Sequence, residues 1–361
     1  MLARRVPMCC QLSPCTILVV IVLAGVAANA TVRHVPEEYP TIQAAIDASV
    51  TGDTVLLSPG VYRGPGNRDI ELRGLDLVIT SSAGADQTVI DCEREGRGFY
   101  IHELETPAAR IEGLTISNGL PVFEPWNGGG GILSGASAPT IVNCRIVSCE
   151  AGVGAGLALM VFDGVVDRCL LSGNNATASY NGGGGVEFLG GSGEIRDCVI
   201  AGNSAPKGGG IYFNASGRIT GCTIAGNLAT EDGGGIWTVA WPLELERCIL
   251  WGNCAWDDGD EVFCRTENIL CECCAVDSTG VVTLMGPDPE YDEDCVFVDP
   301  LFCDPAPCGL TTDGDWRLDT NSLCLPENSP CAELIGALGQ GCGDTPAIET
   351  TWGAIKALYR E

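Results

Sequence analysis

Histidine and basic residues are scarce in this chain. Its 361 residues include 2 His and 19 Lys plus Arg against 47 Asp plus Glu, a formal net charge of −28 at pH 7. Nucleic-acid binding requires a basic surface, and anionic lipid repels an acidic one, so the sequence argues against both partners. Neither His34 nor His102 lies in a triad-like context, and no Gly-x-Ser-x-Gly motif is present. The sequence therefore gives no support to hydrolysis by a Ser-His-Asp triad.

Long apolar segments are confined to the N-terminus. Arg4 and Arg5 precede the apolar run 16–27 and the small residues 28–30. This order is typical of a secretory signal peptide over residues 1–30, and no later stretch is apolar enough to span a bilayer. Cleavage would remove three of the 21 cysteines and leave an even number, which favours disulfides in an exported protein. We expect a monomer that is extracellular, on the cell surface or in the periplasm.

A short phrase recurs through the middle of the chain at intervals of 24 to 29 residues. It begins with a cysteine, has an aliphatic residue two positions later and usually ends in Gly-Asn. An earlier copy, residues 113–118, has glycine in the cysteine position and ends at Asn118. Glycine runs that open apolar steps separate the copies, at 128–132, 182–186, 208–211 and 233–236. Each unit therefore consists of two or three short strands joined by tight bends.

A unit of this length cannot enclose a core, so successive units must stack and share one. The strands are too short for hairpins and no helical pattern separates them, which indicates a solenoid of parallel strands. We predict an all-β fold, a right-handed parallel β-helix, over residues 60–285. A short amphipathic helix with Thr41 as its cap is expected within an N-terminal cap over residues 31–59.

Stacking places equivalent residues above one another at a spacing of ~4.8 Å. One column would be an asparagine ladder with amides bonding from coil to coil, formed by Asn118, Asn174, Asn203, Asn227 and Asn253. A second, inward column would be formed by Cys144, Cys169, Cys198, Cys222 and Cys248. Buried cysteine behaves as a small hydrophobic residue, although this spacing also allows neighbouring cysteines to form disulfides. Both columns are interpreted as structural.

The N-terminal phrases at 39–47, 52–55 and 59–62 resemble the cap of the pectin-lyase-like superfamily, whose members share the right-handed β-helix. The glycine-run and Gly-Asn copies are similar to repeats of bacterial surface β-helix proteins, including polymorphic outer-membrane proteins. The resemblance implies a fold but not an activity, because one such scaffold carries many functions. The Gly-x-x-Asp-Phe-Ile-Phe-Gly-like context of its esterases is absent, as are the Asn-Thr-Asp and Gly-His-Gly motifs of its polygalacturonases.

Charged residues just before the column cysteines predict cross-coil pairs between Arg168 and Asp197 and between Asp167 and Arg196. Such pairing would lower carboxylate pKa values, whereas a glycosidase needs one carboxyl group with a raised pKa. Pectate-type polyanions are unsuited to so acidic a protein unless calcium bridges them. We therefore predict a non-enzymatic protein, and the alternative is a polysaccharide lyase, hydrolase or esterase of the superfamily.

The favoured binding surface is an outward column that follows the glycine runs and contains Glu187, Tyr212 and Trp237. Two exposed, stacked aromatic rings beside a carboxylate predict a platform for polysaccharide. The alternative is that a long bend or the C-terminal region covers them. Trp126 and Tyr180 lie at the tips of two longer insertions, where repeat proteins place recognition. The hypothesis is recognition of glycan or a cell-surface protein through outer faces and bends.

The C-terminal region is rich in cysteine and acidic residues. Residues 286–345 are predicted to form a loop-rich, disulfide-stapled cap, and 346–361 a tail that serves attachment or docks on the cap. Clustered oxygen ligands would suit calcium at Asp288, Glu290, Asp292 and Asp294. Their spacing matches no EF-hand, and a solvated acidic run is the alternative. Zinc is not expected here, because paired Cys-x-x-Cys motifs are absent, so no other cofactor is predicted.

Overall fold

The computed structural model describes residues 30–121, 127–178, 182–239, 241–266 and 268–343. From Thr31 onward these residues form one compact unit. The chain winds into a coil in which each turn adds one strand to each of several parallel sheets. The predicted signal peptide, except Ala30, and the tail lie outside the described residues. Within those residues, no helix has both the length and the hydropathy needed to cross a membrane.

Three long parallel sheets form the walls of the coil, and a short fourth sheet lines one bend. The strands of sheet A are Val32–Val35, Thr54–Leu57, Val78–Ser81, Arg110–Glu112, Thr140–Val142, Val165–Asp167, Glu194–Arg196, Arg218–Thr220, Leu243–Glu246, Ile269–Glu272 and Glu290–Tyr291. Those of sheet B are Gly60–Tyr62, Thr88–Asp91, Thr115–Ser117, Arg145–Val147, Leu170–Ser172, Val199–Ala201, Thr223–Ala225, Ile249–Trp251 and Ala275–Val276.

Sheet C consists of Phe99–Ile101, Ile132–Gly135, Leu157–Met160, Val186–Leu189, Ile211–Asn214, Ile236–Thr238, Val262–Cys264 and Val281–Thr283. The short sheet consists of Glu150–Ala151, Asn175–Ala176, Ser204–Ala205, Leu228–Ala229 and Cys254–Ala255. Inward aliphatic and aromatic side chains of sheets A, B and C form one continuous core. The prediction of a parallel β-helix is therefore confirmed.

The described residues contain one α-helix, Ile42–Asp47, and one 3₁₀ helix, Ser278–Gly280. The Thr41 hydroxyl accepts a hydrogen bond from the N–H of Ala44 at 3.2 Å, so Thr41 caps the helix as its sequence predicts. Ile42 and Ile46 are fully buried in the core. The helix thus covers the first turn of the coil, which would otherwise expose its apolar interior.

The cysteine column is buried and reduced. Cys144, Cys169, Cys198, Cys222 and Cys248 are at most 1 % exposed and carry free thiols. The Cys248 N–H donates to Cys274 Sγ and the Cys274 N–H to Cys295 Sγ, both at 3.4 Å, so the column continues by two residues. Burial raises the pKa of the Cys169 thiol well above its ordinary value, which keeps it neutral. These side chains act as packing groups of the core.

The asparagine ladder is continuous from Asn174 to Asn253. In each coil the backbone N–H and the Nδ2 amide donate to the Oδ1 of the next asparagine at 2.9–3.0 Å. The same Nδ2 groups also donate to backbone carbonyl groups of the preceding coil, at 2.8–3.0 Å. Asn174, Asn203 and Asn227 are fully buried. The ladder therefore satisfies the polar groups of a bend that has no access to water.

The prediction that Asn118 belongs to this ladder is wrong by one residue. Pairing of Thr115 with Arg145 aligns Leu114 with Cys144, and Asn118 therefore precedes the ladder position. Cys149 holds the first ladder position, and its N–H donates to Asn174 Oδ1 at 3.0 Å. Asn118 has φ +55°, like the glycine before each later ladder residue. Asparagine tolerates the left-handed conformation, so the sequence phrase looks intact although its register has shifted.

The C-terminal residues 300–343, called the strap below, lie along the outer face of sheet B. They contain a small sheet of strands Phe302–Asp304, Asp315–Asp319 and Gln340–Cys342. Three disulfides hold the strap to itself and to the coil: Cys254–Cys308, Cys273–Cys331 and Cys303–Cys342. The predicted disulfide stapling of this region is therefore present.

The strap covers apolar side chains that sheet B directs outward. Trp316 forms one buried apolar cluster with Leu170, Val199 and Ala225. The strap is also bonded to the coil, because the Thr311 N–H donates to Gly202 O at 2.9 Å. This position differs from the predicted cap at the end of the coil, because the apolar outer face of sheet B requires cover along its length.

We expect Asn203→Ala to destabilise the coil by about 3 kcal/mol, because it leaves several buried donors and acceptors of two neighbouring coils without partners. Asn118→Gly is the matched control, since glycine keeps the left-handed backbone and only the bond from Asn118 to Asp91 is lost. Urea unfolding followed by circular dichroism measures both. Equal losses in the two variants would contradict the assignment of the ladder.

Candidate functional site

The predicted aromatic platform is stacked but not exposed. The ring centroids of Tyr212 and Trp237 lie 4.6 Å apart at an interplanar angle of 15°, and Phe263 extends the stack at 6.4 Å from Trp237. Tyr212 and Trp237 are only 5 % and 6 % exposed, and Glu187 is 1 % exposed. The prediction of stacking is confirmed, and the prediction of an exposed surface is wrong.

Glycine bends explain this burial. Gly233 has φ +71°, and a Cβ added to it would lie 2.9 Å from the Cβ of Trp237. The bend therefore folds closely against the base of the stack, which only glycine permits. Lys207 adds cover, with its Nζ 5.9 Å from the centre of the Trp237 ring. Burial beside the Glu187 carboxylate raises the pKa of Tyr212 to about 12.

Two other predicted sites are the tips of the longer insertions and the acidic run near residue 290. Trp126 and Tyr180 lie outside the described residues. In the acidic run, Asp288 and Glu290 are exposed, and the Asp292 carboxylate accepts the N–H of Cys273 at 3.1 Å. Within the described residues, the one convergent group of His, Cys or carboxylate side chains that would suit a metal lies elsewhere. Calcium binding at Asp288, Glu290, Asp292 and Asp294 stays a prediction without geometric support.

A cleft of about 520 Å³ lies at the corner where the strands of sheet A end and those of sheet B begin. We call it the corner groove. Its lining consists of Thr80, Ser81, Ala83, Gly84, Ala85, Asp86, Glu112, Gly113, Asn143, Cys144, Arg145 and Arg168. The strap covers the outer face of sheet B from Leu170 onward. The groove therefore begins where the cover of the strap ends.

From Gly113 to Cys273 the corner is built by one left-handed residue in each coil. Asn143, Arg168 and Asp197 have φ values of +51°, +49° and +51°, and Gly113 and Gly221 occupy the same position in other coils. This conformation turns the chain sharply between the two sheets, at a cost of roughly 1–2 kcal/mol for a residue other than glycine. Asn143, Arg168 and Asp197 therefore place polar side chains at positions of this corner where glycine would be favoured.

Each charged group of the groove is held by an ion pair or a hydrogen bond. Asp86 Oδ1 lies 2.7 Å from Arg145 Nη1, and the Arg145 side chain is only 8 % exposed. Glu112 Oε2 lies 2.7 Å from Arg110 Nε. The Arg168 Nε donates to Asn143 Oδ1 at 3.2 Å. These contacts fix the planar ends of the side chains before any ligand arrives.

Asp167 connects two arginines next to the groove. Its Oδ2 lies 3.0 Å from Arg168 and 3.3 Å from Arg196, so the predicted pair between Asp167 and Arg196 is confirmed. The predicted pair between Arg168 and Asp197 is wrong, because the Arg168 guanidinium turns to Asp167 within its own coil. Asp167 Oδ1 is buried and has no hydrogen-bond partner in the described part of the chain. The carboxylate is therefore incompletely solvated.

Asp197 also contradicts the expected effect of this column on pKa values. Partial burial and the neighbouring Asp167 carboxylate raise the pKa of Asp197, despite the opposing influence of three arginines. Its carboxylate lies over Gly221, where an added Cβ would be 2.4 Å from Asp197 Oδ1. The corner thus contains one carboxyl group with a raised pKa among several that are paired with arginine.

Sequence reasoning missed Asp86, Glu112 and Arg145. Asp86 lies in a bend outside the repeated phrases, and no local signal marks it. The sequence does contain a signal for Arg145, because this residue aligns with Leu170 and Val199 of the next two coils. A charged residue in a column that is otherwise uncharged indicates a local change of environment.

A second unusual carboxyl group ends the asparagine ladder. Glu261 is 2 % exposed and aligns with Gly235 of the preceding coil. Its Oε2 accepts Asn253 Nδ2 at 2.5 Å, and its Oε1 accepts the Asn253 N–H at 3.3 Å. Burial outweighs these bonds and raises the pKa of Glu261 to about 8. The group has a structural position and lies outside the corner groove.

Comparisons with known proteins identify the fold. A family model described as a right-handed β-helix region matches residues 77–242. The predicted handedness is therefore confirmed for these residues. No curated protein matches the chain.

Among solved structures, the chain is similar to the crystal structure of pectate lyase Pel9A, with a TM-score of 0.42 and 13 % sequence identity. The match covers 87 % of this chain and 97 % of that chain. A likeness at this level gives no information about activity.

Glu261 should make stability depend on pH. Its pKa is raised from 4.5 to about 8 on folding, so its contribution is fully present below pH 4.5 and is lost as pH rises through about 8. We expect the wild type to lose about 2–4 kcal/mol from this group across that window. Glu261→Gln should flatten the profile, although its amide will face one donor of Asn253 and lower stability at pH 5. Urea midpoints at half-unit pH intervals measure this, and parallel profiles of the two proteins would contradict it.

Proposed function

We propose that this protein binds a glycan without cleaving it, and that the corner groove is the binding site. The observation that carries the proposal is the set of planar polar side chains that line one cleft and are held in place by ion pairs and hydrogen bonds. Asp86, Glu112, Asn143, Arg145 and Arg168 offer both donors and acceptors along it. Neighbouring hydroxyl groups of a sugar ring need this combination.

Preorganisation supports binding over a merely structural role. Ordering a long side chain on binding costs about 0.5–1.5 kcal/mol. The Arg145 guanidinium is already fixed by Asp86 at 2.7 Å, and Arg168 by Asn143 at 3.2 Å and Asp167 at 3.0 Å. The Arg168 side chain is half exposed, so its guanidinium can donate to two adjacent oxygens of a ligand.

A neutral glycan fits the electrostatics best. The chain carries a formal net charge of −28, which repels polyanions over the scale of a Debye length, about 8 Å at physiological salt. The arginines of the groove are already paired with carboxylates and leave little positive charge for an anionic ligand. A neutral oligosaccharide avoids the repulsion and still uses the hydrogen-bonding groups.

The carboxylates of the groove favour recognition over catalysis. A glycosidase needs a carboxyl group that stays protonated to donate to the leaving oxygen. Asp86 and Glu112 each accept from an arginine nitrogen at 2.7 Å. Carboxylate oxygens held as acceptors in this way suit hydrogen bonds from sugar hydroxyl groups better than proton donation to a leaving group.

A second candidate function is carbohydrate cleavage, and Asp197 is the observation that favours it. Its pKa is raised by burial and by Asp167, and perturbed carboxyl groups concentrate at catalytic sites. In this candidate Asp197 would be the general acid next to the groove. Its position over Gly221 in a strained corner accounts for the same shift without catalysis, so this candidate ranks second.

The proposed location is outside the cytoplasm, on the cell surface or in the extracellular space. Three disulfides support it, because such bonds form and persist in oxidising compartments. An N-terminal segment with the order of a signal peptide supports it further. A glycan-binding coil of this kind would meet its ligand at the cell surface.

Arg168→Ala should weaken binding of a neutral oligosaccharide at least tenfold, because it removes an exposed bidentate donor from the groove. Arg63→Ala is the matched control, since its side chain is similarly exposed and is paired with one carboxylate, Asp91, away from the groove. Affinity electrophoresis against a panel of polysaccharides finds the ligand, and calorimetry with its oligosaccharide measures affinity. Equal affinities of the two variants would contradict the proposal, as would binding confined to acidic polymers or proteins.

The same panel separates the two candidate functions. Reducing ends and unsaturated products should stay at the background level for the wild type. Cleavage that is lost in Asp197→Asn but retained in Arg63→Ala would replace the binding proposal with the enzymatic one.

A further inference from the structure

A histidine and two glutamates converge at the opposite ends of the sheet A strands from the corner groove. Glu71, His102 and Glu103 each place a ligand atom within 4.8 Å of the others. His102 directly follows the sheet C strand Phe99–Ile101, and Glu71 follows Ile70, which pairs with Phe99. The three residues therefore come from two adjacent coils at the bend from sheet C to sheet A.

The His102 ring is held by stacking on Tyr100, and its buried Nε2 has no hydrogen-bond partner among the described residues. The two ring centroids lie 3.8 Å apart at an interplanar angle of 29°. A buried ring nitrogen without a partner costs free energy unless a ligand satisfies it.

A buried carboxylate fixes the bend that carries Glu103. Glu105 is 2 % exposed and accepts three hydrogen bonds, from the Glu103 N–H at 2.9 Å, the Ser137 hydroxyl at 2.8 Å and the Gly74 N–H at 3.2 Å. Leu104, between the two glutamates, has the left-handed φ of +65°. The backbone on both sides of the cluster is thus rigid, as a preformed site requires.

Glu71 is anchored through its backbone, and its carboxylate is shared with an arginine. Its N–H donates to Gln43 Oε1 at 2.9 Å, and its carbonyl accepts Gln43 Nε2 at 3.1 Å. Arg73 Nη1 pairs with Glu71 Oε2, while Arg73 Nε lies 3.5 Å from Asp47. The exposed arginine can therefore keep Asp47 as its partner when a cation takes the Glu71 carboxylate.

We infer that Glu71, His102 and Glu103 form a binding site for a divalent cation of the zinc class. Imidazole with two carboxylates is a ligand set for Zn²⁺ and neighbouring first-row ions, whereas Ca²⁺ takes oxygen ligands alone. Three protein ligands leave positions for water or for a ligand oxygen. The exposed Glu103 leaves the site open to solvent. This site is independent of glycan binding in the corner groove.

Calorimetric titration of the purified chain, disulfides intact, with Zn²⁺ tests the inference. We expect one site per chain, loss of binding in His102→Ala, and at least tenfold weaker binding in Glu103→Gln. Glu327→Gln is the matched control, an exposed glutamate outside the cluster and outside the acidic run, and should bind like the wild type. Binding unchanged in His102→Ala and Glu103→Gln, or lost in Glu327→Gln, would overturn the inference.

Arg73→Gln gives a gain of function that damage to the fold cannot imitate. Removing the competing guanidinium should tighten Zn²⁺ binding up to about fivefold, the range expected for an exposed ion pair. Unchanged or weaker binding in this variant would count against the site.

Two spectroscopic readouts assign the ligands. Co²⁺ should bind without the intense charge-transfer absorption of thiolate ligands, because the free cysteines among the described residues are buried. The chain has only two histidines, so Zn²⁺ should protect His102 from diethyl pyrocarbonate while His34 stays reactive. A thiolate band, or protection of neither histidine, would overturn the inference.

Discussion

The fixed spacing between successive coils is the constraint on which this molecule depends. Parallel strands ~4.8 Å apart place each side chain directly above its equivalent in the next coil. The side chains of a bend must therefore hydrogen-bond to, or pack on, the equivalent side chains of the neighbouring coils. Asparagine meets this demand because its amide both donates and accepts, and the ladder from Asn174 to Asn253 runs at 2.9–3.0 Å. The ladder ends at Asn253, whose amide donates to Glu261. Glu261 aligns with Gly235 of the preceding coil and supplies the last acceptor. Glycine bends, the reduced cysteine column and the core follow from the same spacing.

The corner groove is a local departure from this regularity. Where the bend from sheet A to sheet B would favour glycine, Asn143 and Arg168 adopt left-handed conformations, and Arg145 introduces a charge into an otherwise uncharged column. Such departures cost free energy, and repeat proteins place recognition where the repeat is broken. The strap covers the neighbouring apolar surface and leaves the groove open. The repeated positions of the coil thus determine the fold, and the positions that depart from the repeat form the proposed site.

The sequence predicts the fold well because its signal is repeated in every coil. The predicted register fails at Asn118, because asparagine one position early still favours the same left-handed turn. The predicted exposure fails at Tyr212 and Trp237, because a glycine bend from outside their strands covers them. Arg168 pairs with Asp167 instead of Asp197. The alignment of equivalent residues in successive coils does not predict the side-chain direction of a left-handed residue. The groove itself joins Asp86 to Arg145 across 59 residues, and the metal cluster joins Glu71 to His102. No local pattern encodes such contacts.

The most direct test of the central claim is hydrogen exchange, measured by mass spectrometry with and without the neutral oligosaccharide that binds best. Amides buried by a ligand exchange more slowly, so protection maps the contact surface. We expect new protection confined to segments 80–86, 110–115 and 142–146 and to the bend at Arg168, with sheet C unchanged. Protection centred on the bends beside Tyr212 and Trp237, with none at the corner groove, would contradict the account.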